Sequence, residues 1–304
     1  MKMRPAMIFD THAHYDDRAF DGDREAVLAS LVTRGVGRVV NVGASAESLD
    51  RIPELTGQYD FVYGAVGLHP DEIGDFTEET AAKLEALLRQ PKIVAVGEIG
   101  LDYHWDIQPH EVQADGFIRQ AEIAVRAGKP ILVHSRSAAA DTMRIIERLY
   151  GTGKPAGKLS KAEAEKKLLP DEYETVPGKE WVWKKEVPPG PGEGLKNKGI
   201  IHAYAYSAEQ ARIYTGMGFL LGIGGVLTYQ NSRKLKKVVA EIPLEFLVLE
   251  TDCPYLAPEP HRGERCDSGY LRYVVRAIAE IKDVSEEEVE AVTWENACRL
   301  FSLS

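Results

Sequence analysis

Eight short apolar runs separated by stretches of helical periodicity constrain this 304-residue chain more than any other feature. They read as strands at residues 8–14, 37–43, 61–67, 92–98, 130–134, 199–203, 219–223 and 246–250, the first five each ending in Gly or a polar residue. Helices are expected at 24–34, 46–55, 78–90, 109–127, 208–215, 232–240, 268–281 and 285–301. The first of these stops at Gly35 and the fourth at Gly128, as helices that end on a left-handed glycine do. Strand and helix in alternation predict a (β/α)8 TIM barrel, with a doubly wound open sheet as the competing architecture. The barrel is preferred because the chemically interesting side chains fall at the carboxyl ends of strands, where that fold gathers its active site.

Residues 152–197 break the rhythm. They are rich in Lys, Glu, Gly and Pro, and read as a surface insertion between strands five and six, within a single domain covering 1–304. A short helix at 161–168 is expected there, with Trp181 and Trp183 as the apolar anchors of a hairpin. Because the segment leaves from a helix end, it is expected on the face opposite the strand carboxyl ends.

The bulk properties narrow the function class. A hydrophobic fraction of 44% and a charged fraction of 28% suit a globular protein with a sizeable core. No run reaches the roughly 18 apolar residues of a membrane span, and none reads as a signal peptide, so no membrane partner is expected and the location is read as cytoplasmic. Cys253, Cys266 and Cys298 show no CxxC spacing and are read as reduced thiols. A net charge of −10 argues against coating nucleic acid electrostatically. It leaves room for a nuclease, since a local metal cluster can hold one phosphate without a basic surface. The oligomeric state is left open, with a monomer as the simplest case.

The chemistry begins at the first strand. Asp10, His12 and His14 follow its apolar start at a spacing of two, which places all three on one face. Neutral imidazoles are common ligands for divalent metals, but two are too few for a site. Closing a barrel supplies the rest: Glu98 ends strand four, His134 ends strand five, His202 sits in strand six and Asp252 follows strand eight. Three or four of these suffice for a catalytic zinc with an open position, and six suffice for two ions if one carboxylate bridges. Glu98 follows an apolar strand, where burying a carboxylate is costly without a cationic partner. Asp252 could instead cap the turn at Pro254.

Six segments, taken in order, carry a resemblance. They are Phe9-Asp10-Thr11-His12-Ala13-His14, Gly67-Leu68-His69-Pro70, Gly97-Glu98-Ile99-Gly100-Leu101-Asp102-Tyr103, Val133-His134-Ser135-Arg136, the run from Glu250 to Pro258, and His261-Arg262-Gly263. The chain resembles the TatD family of metal-dependent deoxyribonucleases, a branch of the amidohydrolase-like TIM barrels. The resemblance implies two divalent ions (Mg²⁺, Mn²⁺ or Zn²⁺), one held by His12, His14, Glu98 and Asp252 and the other by Glu98, His134 and His202, with Glu98 bridging. It implies cleavage of DNA, the expected partner, as a 3′-5′ exonuclease using a metal-activated water, with Asp252 and Glu98 catalytic and Asp252 the candidate general base. His69, Arg136 and Arg262 are implied as phosphate-binding residues. Asp102 and Tyr103 are expected to support the ligands, and His104 and His110 to lie on a helix-side surface.

The chain departs from the family pattern at His202-Ala203-Tyr204-Ala205-Tyr206, where His-x-Phe-Ser-Gly is usual, and at Cys266-Asp267-Ser268, where Asn-Glu-Pro is common. Two other functions stay open on the sequence: hydrolysis of a small ester, amide or lactone, or of an aminoacyl-tRNA ester, by the same metal centre, and an interaction role for the insertion around Trp181 and Trp183.

Overall fold

A computed structural model of the chain describes residues 7–151, 192 and 194–304. Eight strands form one parallel sheet in sequential order. They are β1 Ile8–Ala13, β2 Val36–Val42, β3 Val62–Val66, β4 Ile93–Asp102, β5 Ile131–Arg136, β6 Gly199–Ile201, β7 Phe219–Ile223 and β8 Leu247–Leu249. A parallel bridge from Ala13 to Cys253 returns the chain after β8 to β1. There the His14 amide donates to the Cys253 carbonyl and the Asp252 amide to the His12 carbonyl, each at 2.9 Å. The (β/α)8 barrel expected from the alternation is the fold observed.

The helices wrapped around this sheet are α1 Arg24–Leu31, α2 Ser48–Gln58, α3 Glu78–Leu87, α4 His110–Ala127, α5 Ala139–Tyr150, α6 Ala208–Gly216, α7 Arg233–Glu241, α8 Leu271–Lys282 and α9 Glu286–Phe301. The expected glycine stops hold, with Gly35 at φ 87° and Gly128 at φ 64°. Before α6, Ser207 and Gln210 form a reciprocal capping box. Helix α2 starts two residues later than the periodicity suggests, because the Ser48 hydroxyl accepts from the Ala44 and Ser45 amides and holds them in a turn.

Two apolar layers result. Inside the barrel, Phe9, Val42, Val94, Leu132, Leu220 and Val248 pack together and are closed off below by Leu300 and Phe301 of α9. A larger layer fills the space between strands and helices. The interior is thus a packed floor rather than a pore, and polar side chains stand on its carboxyl-terminal side.

Two strand boundaries differ from expectation, and each affects the site. Strand β4 runs to Asp102, so Glu98 lies within it rather than at its end. The pairing of β4 with β5 shifts register between Val96 and Ile99, which breaks the alternation where Glu98 sits. Just beyond, Gly100 has φ 149°, and a Cβ there would stand 1.9 Å from the His134 carbonyl oxygen, so only glycine lets the two strands stay this close. Strand β6 ends at Ile201, which places His202 after the strand instead of inside it.

Within β1, Asp10 parts from the two histidines, contrary to the period-two reading. The register with β2 shifts between Asp10 and Ala13. Asp10 turns to Thr251 and Ser268, accepting from the Thr251 hydroxyl and the Ser268 hydroxyl at 2.6 Å each. The Thr251 amide adds a bond of 3.0 Å to the same carboxylate. Burial pushes Asp10 up to about 7, against the pull of these donors. It is a latch between β1, the chain after β8 and the start of α8.

The expected helix at 161–168 and hairpin around Trp181 and Trp183 lie outside the described residues, as does most of the 152–197 insertion. Its flanks meet at the end of α5, where the Gly192 amide donates to the Leu149 carbonyl at 2.7 Å. Among the described residues, no helix is long and apolar enough to cross a membrane.

Candidate metal centre

At the carboxyl-terminal mouth the ring of strands converges four imidazoles and two carboxylates. His12 Nε2 and His14 Nε2 face each other at 3.1 Å. Glu98 Oε2 stands 3.4 Å from the first and 3.6 Å from the second. The other oxygen of the same carboxylate, Oε1, faces away from that pair, 2.7 Å from His134 Nδ1 and 3.7 Å from His202 Nε2. Asp252 Oδ1 completes the cluster, 3.3 Å from His14 Nε2 and 3.7 Å from His202 Nε2. Asp252 itself has φ 61°, a left-handed conformation that aspartate tolerates better than most residues. The mouth opens into a cavity of about 1070 Å³.

The far side of most imidazoles is held, which decides which nitrogen faces the cluster. His14 Nδ1 lies 2.8 Å from the Val42 carbonyl, so Nδ1–H donates there and Nε2 faces the cluster. His134 Nε2 is 2.9 Å from Asp102 Oδ2, leaving Nδ1 toward Glu98. His202 Nδ1 is 3.1 Å from Glu250 Oε1, leaving Nε2 for the mouth. Carboxylate and carbonyl partners on the outer nitrogen are the usual support of metal-ligating histidines.

Charge accounts for how the cluster survives burial. Burial disfavours charge on His14, yet Asp252 and Glu98 outweigh it and raise its pKa to about 9. The same contest raises His134 to about 9 through Glu98 and Asp102. His202 rises to about 10 through Glu250 and Asp252. Burial would push Glu98 up, but the surrounding imidazoles hold it well below the usual carboxylate range. The donor set also fits a cation directly. Two imidazole nitrogens 3.1 Å apart need a proton between them when no ion is bound, and a divalent ion between them and the carboxylates would take that proton's place. Three groups here could hold an ion: His12 with Glu98 and His202, His12 with His14 and Asp252, and His69 with Asp102 and His134.

The remaining residues singled out in the sequence fall in different places. His69 packs edge-on against His134 at 4.3 Å between ring centroids and lines the cavity. Its Nδ1 accepts from the Asp71 amide at 3.2 Å, which leaves an Nε2–H donor. Burial pushes His69 down to about 4, so it offers a hydrogen bond rather than a charge. Arg136 lines the cavity with its guanidinium over Trp105. Arg262 does not line the cavity. Its guanidinium lies 4.3 Å from the Tyr229 ring centroid. Asp102 supports a histidine as expected, whereas the Tyr103 hydroxyl donates to Asp141 Oδ2 at 2.9 Å. His104 sits in the turn after β4, and His110 stacks on Tyr103 at the start of α4, so neither lies on an outer helix face.

Glu250 joins the site although no pattern in the sequence singles it out as a support for His202. It is almost wholly buried, and besides His202 its Oε1 accepts from the Ala203 amide at 2.5 Å. Its position, two residues before Asp252 and ending an apolar strand, was the available signal. Gly222 of β7 makes room for it, since a Cβ there would stand 2.0 Å from Glu250 Oε2. Gly222→Ala is therefore expected to displace Glu250 and loosen His202. Metal affinity, followed by titrating the dialysed protein in a calorimeter, should weaken about 10- to 100-fold.

The departures from the family pattern also have structural roles. The Tyr206 hydroxyl donates to the Ser135 carbonyl at 2.8 Å and ties the chain after β6 to the end of β5. Asp267 pairs with Arg34 at 2.8 Å, and Ser268 supplies one of the donors to Asp10.

Comparison with known proteins agrees with this arrangement. A family model described as TatD related DNase matches residues 9–302. The metal-dependent hydrolase YabD of Bacillus subtilis is 37% identical over 299 residues, covering 98% of this chain and all of YabD. The 3′-5′ ssDNA/RNA exonuclease TatD of Cronobacter turicensis is 26% identical, over 97% of each chain. The crystal structure of YJJV, a TatD homologue from Escherichia coli K12, superposes with a TM-score of 0.80 at 26% identity, covering 98% of this chain and 99% of that one. With a matching model over nearly its whole length and the same barrel around a buried histidine–carboxylate cluster, the chain belongs to the TatD family and is a metal-dependent hydrolase.

Proposed function

We propose that this protein hydrolyses DNA phosphodiester bonds, acting on single strands from the 3′ end, with two divalent ions held side by side. One ion takes His12, His14, Glu98 and Asp252; the other takes Glu98, His134 and His202. The observation that carries this reading is the divided carboxylate of Glu98. One oxygen faces His12 and His14 at 3.4 and 3.6 Å, and the other faces His134 and His202 at 2.7 and 3.7 Å. A single residue joining two imidazole pairs is what a bridging ligand requires. The Cronobacter relative, named a 3′-5′ ssDNA/RNA exonuclease, supports the choice of substrate and polarity.

When bound, such an ion pair supplies Lewis acidity that activates a water and offsets charge on the phosphoryl oxygens. The protein's own groups do the rest. Glu98, with a side chain 5% exposed, is sealed among the imidazoles, whereas Asp252 is 20% exposed toward the cavity. Asp252 is thus the carboxylate placed to take a proton from an attacking water. His69 offers its Nε2–H and Arg136 its guanidinium to non-bridging phosphate oxygens. Asp102 and Glu250 keep His134 and His202 from rotating.

The test is direct. Dialysed protein supplied with Mg²⁺, Mn²⁺ or Zn²⁺ is expected to shorten a 5′-labelled single-stranded oligonucleotide progressively, and EDTA to stop it. Aryl esters, lactones and an aminoacyl-tRNA are run in parallel and compared by kcat/KM. No shortening with any ion, or a larger kcat/KM on one of the esters, would overturn the reading.

A further inference from the structure

Almost all large apolar side chains of this barrel are buried, and the exceptions are unevenly placed. Among the described residues the exposed large hydrophobics include two aromatics, Trp105 at 60% and Tyr255 at 55% exposure, and both line the cavity over the metal centre. Trp105 stands in the turn after β4 and Tyr255 in the turn after β8. In a closed ring of eight strands taken in order, the fourth and eighth lie diametrically across the mouth. The two rings therefore stand on opposite walls with the histidine–carboxylate cluster between them.

Each ring is fixed to the cluster through the backbone. The Trp105 amide donates to Asp102 Oδ1 at 3.0 Å, and the other oxygen of that carboxylate holds His134. The Tyr255 amide donates to the carbonyl of Asp252 at 2.9 Å, and its hydroxyl donates to Asp17 at 3.1 Å. The Arg136 guanidinium lies 5.2 Å from the Trp105 ring centroid and backs the indole. Both rings are thus held in place while their faces stay open to the cavity that contains the cluster.

We propose that Trp105 and Tyr255 are stacking plates for the two nucleobases that flank the scissile phosphodiester, one base to each plate. This rests on the reading of the site as a phosphodiesterase acting on single-stranded nucleic acid. The electrostatics favour stacking as the main source of affinity. The basic residues of the cavity lining are Arg18, Arg51 and Arg136, and the first two are paired with Glu47 at 3.5 Å each. Beyond the one phosphate that the metal centre would hold, an acidic chain with few unpaired arginines at the mouth attracts the remaining backbone phosphates weakly. Bases offer a π face of any sequence to an exposed aromatic ring, and such a contact changes affinity about 5- to 150-fold per base. A duplex buries these faces in its own stack, so the plates select unpaired ends.

The experiment uses the full-length, metal-loaded protein and a single-stranded oligonucleotide in three forms: intact, abasic at the 3′-terminal nucleoside, and abasic at the penultimate one. Trp105→Ala and Tyr255→Ala are each expected to raise KM for the intact strand about tenfold, with kcat within about twofold of wild type. Removing one base should erase the Trp105→Ala effect, and removing the other should erase the Tyr255→Ala effect. Trp105→Phe should recover most of the lost affinity. An unchanged KM in both alanine variants overturns the plates while leaving the phosphodiesterase reading intact, as does a penalty that persists on both abasic strands. Failure of the wild-type protein to cleave any of the three strands overturns both.

Discussion

Glu98→Ala is expected to lower kcat/KM at least about a thousandfold and to reduce the metal content of dialysed protein, measured by elemental analysis. The expectation follows from the two-sided geometry. Among the described residues, no other side chain presents one oxygen to His12 and His14 and the second to His134 and His202. Removing it separates the halves of the site, and no neighbour can swing in, because β4 is held by its pairing with β5 and by the Glu98 amide, which donates to the Gly43 carbonyl at 2.7 Å. The barrel should still fold, as judged by circular dichroism, because the apolar floor below the cluster does not involve Glu98. Near-wild-type activity in this variant would remove the bridging assignment.

Asp252→Asn is expected to behave differently. The amide keeps an oxygen toward His14 and His202 but cannot take a proton, so kcat at saturating metal should fall about 10²- to 10⁴-fold. Metal retention should suffer less than in Glu98→Ala, since three other ligands of that ion remain. The imidazoles around Asp252 outweigh its burial and hold its pKa below the ordinary value, so the carboxylate is ionised throughout the neutral range. A kcat within about threefold of wild type at saturating metal would move the general base to another group. Measured side by side, the two variants separate holding the ions from moving the proton.

Much of this architecture could be read from local features. Strand lengths of a few apolar residues, helices ending at Gly35 and Gly128, and polar residues at strand ends are written in short windows of sequence, because they depend on backbone propensity and periodicity. The barrel follows once eight such units are counted. The six residues grouped at the mouth, His12, His14, Glu98, His134, His202 and Asp252, were also within reach, since a closed ring brings strand ends together whatever the details of packing.

What could not be read depends on departures from ideal strands and on partners distant in sequence. Period two keeps Asp10 with His12 and His14, but the register shift in β1 turns it to Thr251 and Ser268, more than 200 residues away. The same kind of irregularity carries Glu98 in mid-strand. Glu250 looks like any residue at a strand end until His202 and the vacant side of Gly222 are seen around it. Arg262 sits in a recognisable motif, yet its guanidinium stacks on Tyr229 and is not among the cavity-lining residues.

By itself the sequence determined the barrel, the composition of the centre and the family, because these rest on patterns of residue type along the chain. The tertiary structure alone decided which nitrogen of each histidine faces inward, which carboxylate is sealed and which is open, and which aromatic rings border the mouth. Those are matters of side-chain direction. A residue's direction is set by the register and the far-off neighbours it meets, and neither is encoded in its own stretch of sequence.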